Sequence, residues 1–199
     1  SIDFYKEGLK VAEANKISAK ITDLNSKIGE AYSASGNNEA AKDYFGKSLK
    51  LATTENKKRA AEEKVKVADF QNNISNYSSE ILLRKEALKD IEKVGEIKEN
   101  IIDNESALTP QKQNYKIGSA YALQGDYQNA IEYNLKALKL SEENDFTAYQ
   151  GMLLTNIGEI YKAQRKFKNA LEYYEKAIVI AKETSDTIAW AKALNRLSF

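Results

Sequence analysis

Apolar side chains recur at every third or fourth position along nearly the whole chain, the spacing of one face of an α-helix. The clearest stretch is 114–142, NYKIGSAYALQGDYQNAIEYNLKALKLSE. It returns 40 residues later as 154–182, LTNIGEIYKAQRKFKNALEYYEKAIVIAK. Without gaps, Gly118 falls on Gly158, Tyr121 on Tyr161, Ala130 on Ala170 and Ala137 on Ala177. Each copy reads as two helices separated by a short break, at Gln124–Asp126 or Gln164–Lys166. A unit of this length buries little apolar surface by itself, so its recurrence predicts a stacked array.

The residues that repeat are a packing pattern. A Gly inside a helix costs about 1 kcal/mol relative to Ala, so a Gly that recurs there implies close approach of a neighbour. Gly118 and Gly158 are expected to let the first helix of each pair approach the second opposite Ala130 and Ala170. Ile117, Tyr121, Ile157 and Tyr161 would fill the space beside them. With Tyr174, Ala137 and Ala177 on the second helices, this spacing resembles the tetratricopeptide repeat (TPR). The resemblance implies an all-α, right-handed superhelix, with first helices facing inward and second helices outward.

Four full repeats are expected, at about 16–54, 55–103, 104–144 and 145–184, with half repeats at 1–15 and 185–199. Together they would form one solenoid domain over 1–199, cut from a longer protein. The first repeat carries Ile28, Gly29 and Tyr32 on a helix near 17–34, and Ala41, Phe45 and Ser48 on one near 38–53. Gly36 is placed for a left-handed helix end between them. The second repeat departs from the pattern: Ala68 replaces Gly, Gln71 the aromatic and Glu80 the small residue. Looser packing is expected there, with Gln71 and Glu80 facing solvent or else serving a local function; the polar residue types favour solvent. Its second helix is expected to run on to about 102 through Leu88, Ile91, Val94, Ile97 and Ile101. Phe4, Tyr5 and Leu9 at one end, and Ile188, Trp190, Leu194 and Leu197 at the other, would each pack on a helix that is not there. Edge-to-edge self-association is the expected consequence.

Composition narrows the chemistry. The chain has 199 residues, with 30 basic and 29 acidic side chains, and neither His nor Cys. The balance gives no basic footprint for nucleic acid. No apolar run is long enough to span a membrane, so no membrane contact is expected of this piece. The commonest general base, the commonest transition-metal ligand and the thiolate are missing. No phosphate loop or metal-ligand spacing is present, and no cofactor is expected. Charged loops such as Arg165-Lys166-Phe167-Lys168 read as solvated.

In TPR proteins the first helices line a concave groove. The resemblance places Asp23, Ser26, Glu30 and Ser33 there from the first repeat, and Glu62, Val65, Asp69 and Asn72 from the second. Lys112, Tyr115, Ser119 and Ala122 follow from the third, and Met152, Thr155, Glu159 and Lys162 from the fourth. The Lys and Asn that chaperone-binding TPRs use to hold a C-terminal carboxylate do not stand at the matching positions. Asp23, Glu30, Glu62 and Asp69 make the first half acidic, which favours a basic or polar peptide.

Two readings follow. One is a non-enzymatic module that binds a protein or peptide, in the style of the TPR arrays of bacterial signalling proteins such as the sensor regions of histidine kinases. It would lie in the cytoplasm, or in the periplasm ahead of a membrane kinase. The other is a structural scaffold that assembles through exposed repeat edges.

Overall fold

The computed structural model describes residues 2–94, 108–185, 191 and 194–196. They form α-helices joined by short turns, with no strand among the described residues. The fold class is all-α, a helical repeat of the solenoid type. The chain divides into two compact units, Ser1–Ile101 and Ile102–Phe199. The expectation of one continuous array concerns the join between them, which is flanked by residues outside those described.

In the first unit, α1 (Ile2–Ala14), α2 (Ser18–Ala34), α3 (Asn38–Glu55), α4 (Lys57–Asn73) and α5 (Tyr77–Val94) pack each on the next, and α2 also touches α4. In the second, α6 (Pro110–Leu123), α7 (Tyr127–Glu143), α8 (Thr147–Ala163) and α9 (Phe167–Glu183) do the same. The even-numbered helices are the first helices of the repeats. Among the described residues, no helix is long and apolar enough to cross a membrane.

The turns inside the repeats share one construction. Gly36 has φ 79° and donates its N–H to the Ser33 carbonyl, while Asn37 N–H reaches back to Tyr32. This doubly bonded helix end needs a left-handed residue, which Gly adopts without steric cost. Gly125 repeats it at φ 80°. The next residue then caps the following helix: Asn37 accepts from Ala40 N–H and Asp126 from Asn129 N–H. In the fourth repeat Arg165 is held at φ 58°, and Lys166 gives no side-chain cap.

The small residue of each first helix receives one side chain from the second helix, sixteen positions later. A Cβ on Gly29 would meet the Phe45 ring at 3.0 Å, and one on Gly158 would meet the Tyr174 ring at 2.5 Å. Gly118 faces the Asn134 amide, and the Ala130 carbonyl lies 3.0 Å from where its Cβ would stand. The expected partner of the glycine was Ala130 or Ala170. The larger knob at the sixteenth position fills that space, with Ala130 contributing its carbonyl. Stacked tyrosine pairs seal the same helix pairs: Tyr32 on Tyr44, Tyr121 on Tyr133 and Tyr161 on Tyr173. A Lys sits over the second ring in each case, Lys47, Lys136 and Lys176.

The second repeat is packed, contrary to the expected looseness. Ala68 is fully buried in the glycine position, and its knob is Arg84. Glu80, expected in solvent, is 0% exposed and Arg84 1%. Burial is tolerated because Arg84 Nε donates to Glu80 Oε1 at 2.9 Å on the next turn of the same helix. Gln71 is half-buried and accepts from the Asn76 amide.

The continuation of α5 beyond Val94 falls outside the described residues, as do Ile188, Trp190 and Leu197. Of the residues expected to be stranded at the first end, Leu9 is buried against Leu24 and Ile28 of α2, and Tyr5 is half-buried beside them. Phe4 alone of these three is open, at 71%. Leu194 is exposed.

Candidate functional site

The first unit contains a groove of about 410 Å³ between α2 and α4. Helical spacing builds its walls. Glu30 and Ser33 stand one and four residues after Gly29 on α2, and Asp69 and Asn73 one and five after Ala68 on α4. Because Gly29 and Ala68 face the second helices, the residues just beyond them turn toward this opening. Phe45 and Phe70 lie beneath it as buried core, with ring centroids 5.1 Å apart. Lys66 completes the wall and donates to Glu63 Oε1 at 2.7 Å, a carboxylate that is itself buried.

Asp69 is the most constrained acid in the groove. Arg84 Nη2 donates to its Oδ1 at 2.5 Å from within the core, while about half of the Asp69 side chain stays in solvent. Asn72, one turn further on α4, donates to Glu80 Oε2 at 2.7 Å. Two residues expected on the concave face are thus tied from behind through one buried Arg–Glu pair. Charge-assisted bonds of this kind fix a carboxylate's orientation. The Glu80–Arg84–Asp69 chain carries one more carboxylate than cation, and Lys66 is offset by Glu63. With Glu30 exposed, the lining is left with an excess of negative charge.

The structure separates the remaining expected residues. Asp23 is held by Arg59, whose Nη2 donates to Asp23 Oδ1 at 2.6 Å and to the Ala19 carbonyl at 2.7 Å. Ser26 is 1% exposed, so it belongs to the core and is corrected from the groove. Its hydroxyl is buried without a hydrogen-bond partner. Glu62 is half-buried. Lys66, Phe70 and Asn73 line the groove and escaped the sequence reading. Only the helical periodicity around Asp69 hinted at them.

In the second unit, Lys112 and Tyr115 on α6 are half-buried, and Tyr115 meets Tyr149 edge to face at 6.2 Å. Ser119 and Met152 are half-buried, and Thr155 Oγ1 donates to the Gly151 carbonyl. Glu159 accepts from the Tyr174 hydroxyl at 2.6 Å and lies 3.3 Å from Arg196 Nε. Burial first, and then the bond to Glu159, push the Tyr174 hydroxyl well above the ordinary tyrosine range. It therefore stays a donor at physiological pH. Glu159 thus repeats the Asp69 arrangement, a carboxylate just after the small residue held by the knob sixteen positions on. Among the described residues, no cluster of three or more acidic side chains is placed to hold a metal ion.

Two models of the tetratricopeptide repeat match the sequence, one over residues 108–183 and one over 22–55, together more than half of the chain. The chain belongs to the TPR family. No curated protein sequence matches it. Among solved structures, this TPR chain resembles BtubC (BKLC) from P. vanneervenii, at 12% identity and TM-score 0.71, over 98% of this chain and 82% of that one. It resembles aspartyl phosphate phosphatase F from Bacillus subtilis at 18% identity and TM-score 0.75, over 99% of this chain and 49% of the phosphatase. It also resembles a signal-transduction ATPase with numerous domains from Pyrococcus horikoshii, which carries a TPR sensor, at 20% identity and TM-score 0.74, over 94% of this chain and 28% of that one. The chain spans about half of the phosphatase and less than a third of the ATPase. At these identities the likeness establishes the fold alone.

Proposed function

We propose that this TPR chain is a non-enzymatic module that binds a basic segment of a protein or peptide in the groove between α2 and α4. The observation that carries this reading is Asp69, half open to the groove and braced from the core by Arg84, opposite an exposed Glu30. A preoriented carboxylate beside an exposed Glu30 suits a Lys or Arg side chain, whose charged head meets the acids while its stem lies along the groove wall. A signalling role, as the sensing or interaction region of a larger bacterial protein, is supported by neighbours that include a TPR sensor and a phosphatase of aspartyl phosphate. Titration calorimetry with a Lys-rich and a Glu-rich peptide of equal length tests the groove. Preferential binding of the Lys-rich peptide, weakened by added salt, is expected. Equal binding of both peptides contradicts the reading.

A scaffold assembling through its edges has one supporting observation. Phe4 and Val11 lie on one side of α1, seven residues apart, and are 71% and 62% exposed. Sedimentation of the chain against Phe4→Ser with Val11→Ser tests it. A concentration-dependent mass that the double variant abolishes supports assembly through this face, and a monomer at all concentrations contradicts it.

A further inference from the structure

The second unit holds a separate cleft of about 240 Å³, where the first turns of α6 and α8 come together. Its volume is below the roughly 300–1,000 Å³ of pockets that take drug-sized ligands, so it suits a small metabolite. Neither helix start is capped by a side chain. Thr109 stands at the cap position of α6 without bonding to it, and Phe146 at that of α8 has no group to do so. Pro110 has no N–H and the Thr147 and Tyr149 N–H groups are bonded to the Asp145 and Phe146 carbonyls, so the helix starts contribute chiefly their partial positive charge.

Two largely buried polar side chains turn toward the cleft. Thr109 is 4% exposed and Gln111 6%, and both line the cleft. Neither side chain has a hydrogen-bond partner among the described residues. Neither has a polar atom sealed from solvent without a bond, so their free hydrogen-bonding capacity opens onto the cleft. Two opposite charges complete the lining. Lys112 stands on α6 and Asp145, in a left-handed turn, just before α8. They form no ion pair with each other or with another of the described residues. Phe146 supplies an aromatic wall, with Tyr149 beside it.

We propose that this cleft binds a small zwitterion, a free α-amino acid. Its carboxylate would meet Lys112, the Thr109 hydroxyl and the uncapped helix starts. Its ammonium would meet Asp145 and the Gln111 amide oxygen, and its side chain would rest on Phe146. A simple anion would use the basic pole only and would be repelled by Asp145. The inference is independent of the peptide groove, which lies in the other unit.

The test is calorimetry and thermal melting of the 199-residue chain with each of the twenty L-amino acids singly. For any that binds, the N-acetyl acid, the α-amide, inorganic phosphate and a peptide ending in that residue follow. At least one amino acid should bind and raise the melting temperature, and loss of either charge should weaken it by about tenfold. Lys112→Met should weaken the amino acid and the N-acetyl acid alike. Asp145→Asn should weaken the amino acid but not the N-acetyl acid. Lys168→Met, exposed and outside the cleft, should change nothing, and unchanged circular dichroism should show that the variants fold. Failure of every amino acid at millimolar concentration overturns the proposal. Binding indifferent to both cleft variants overturns it, and so does phosphate or the peptide binding as tightly as the amino acid.

Discussion

Arg84 on α5 donates to Asp69 on α4 at 2.5 Å, joining a side chain that is 1% exposed to one that is half in solvent. The core of the second repeat thereby reaches its groove. Glu80 shares the same guanidinium and has no access to water. Removing one partner of a buried pair strands the other charge, at a cost of about 3–5 kcal/mol. Arg84→Met should therefore lower unfolding stability by that amount in urea titrations. Arg84→Met combined with Glu80→Leu should recover most of it, since apolar replacement of a buried pair is often neutral. Equal stability of the single variant and the parent would mean that the pair is not buried.

Asp90 predicts the acid limb of stability. It is 6% exposed, and Lys64 and Lys57 lie 2.7 Å and 3.4 Å from its oxygens. Burial alone would raise its pKa. The hydrogen bonds and charges of Lys64 and then Lys57 prevail and hold it below the ordinary carboxylate value of 3.8. Because the folded value is the lower one, the stabilisation is complete above the unfolded pKa and is lost as pH falls through the folded pKa. Asp90→Asn should flatten the decline of stability below about pH 4. The same stability-versus-pH curve for both proteins would refute this.

Two glycines predict opposite effects of the same change. Gly46 faces open space, so Gly46→Ala should stabilise the chain by about 0.5–1 kcal/mol through helix propensity. At Gly158 the new Cβ meets the buried Tyr174 ring, and overpacking should cost about 1–3 kcal/mol. Thermal melts of both variants provide the comparison.

The fourth repeat has the least favourable turn, with Arg165 left-handed and Lys166 uncapped. Replacing Arg165-Lys166 by the Gly-Asp of the third repeat relieves the backbone and adds a cap. A gain of about 1–2 kcal/mol is expected in urea titrations.

Much of this architecture was legible in the periodicity. The helices expected near 17–34 and 38–53 are Ser18–Ala34 and Asn38–Glu55, and Ile28 and Phe45 are core as the stripe implied. The resemblance named Glu30 and Asp69 among the expected site residues, and the two line one groove. Glu80 misled because its residue type is normally solvated, and Ser26 because the repeat register alone placed it in the groove. The burial of Glu80 depends on Arg84 one turn away and Asn72 on the neighbouring helix. Arg59, which holds Asp23 from 36 residues away, and Arg84 behind Asp69 are likewise tertiary facts that no local pattern announces. Lys112 and Asp145 share a cleft only because α6 and α8 begin side by side.

The central claim is that Glu30 and Asp69 make the first unit's groove select a basic peptide. The most direct test is to change that charge while keeping the fold, with Glu30→Lys and Asp69→Asn together. The amide introduced by Asp69→Asn retains an oxygen for Arg84, and Glu30 is exposed, so circular dichroism should be unchanged. Calorimetry with the Lys-rich and Glu-rich peptides should then show the preference of the parent lost or reversed. A double variant that folds and still prefers the Lys-rich peptide to the same degree would contradict the account.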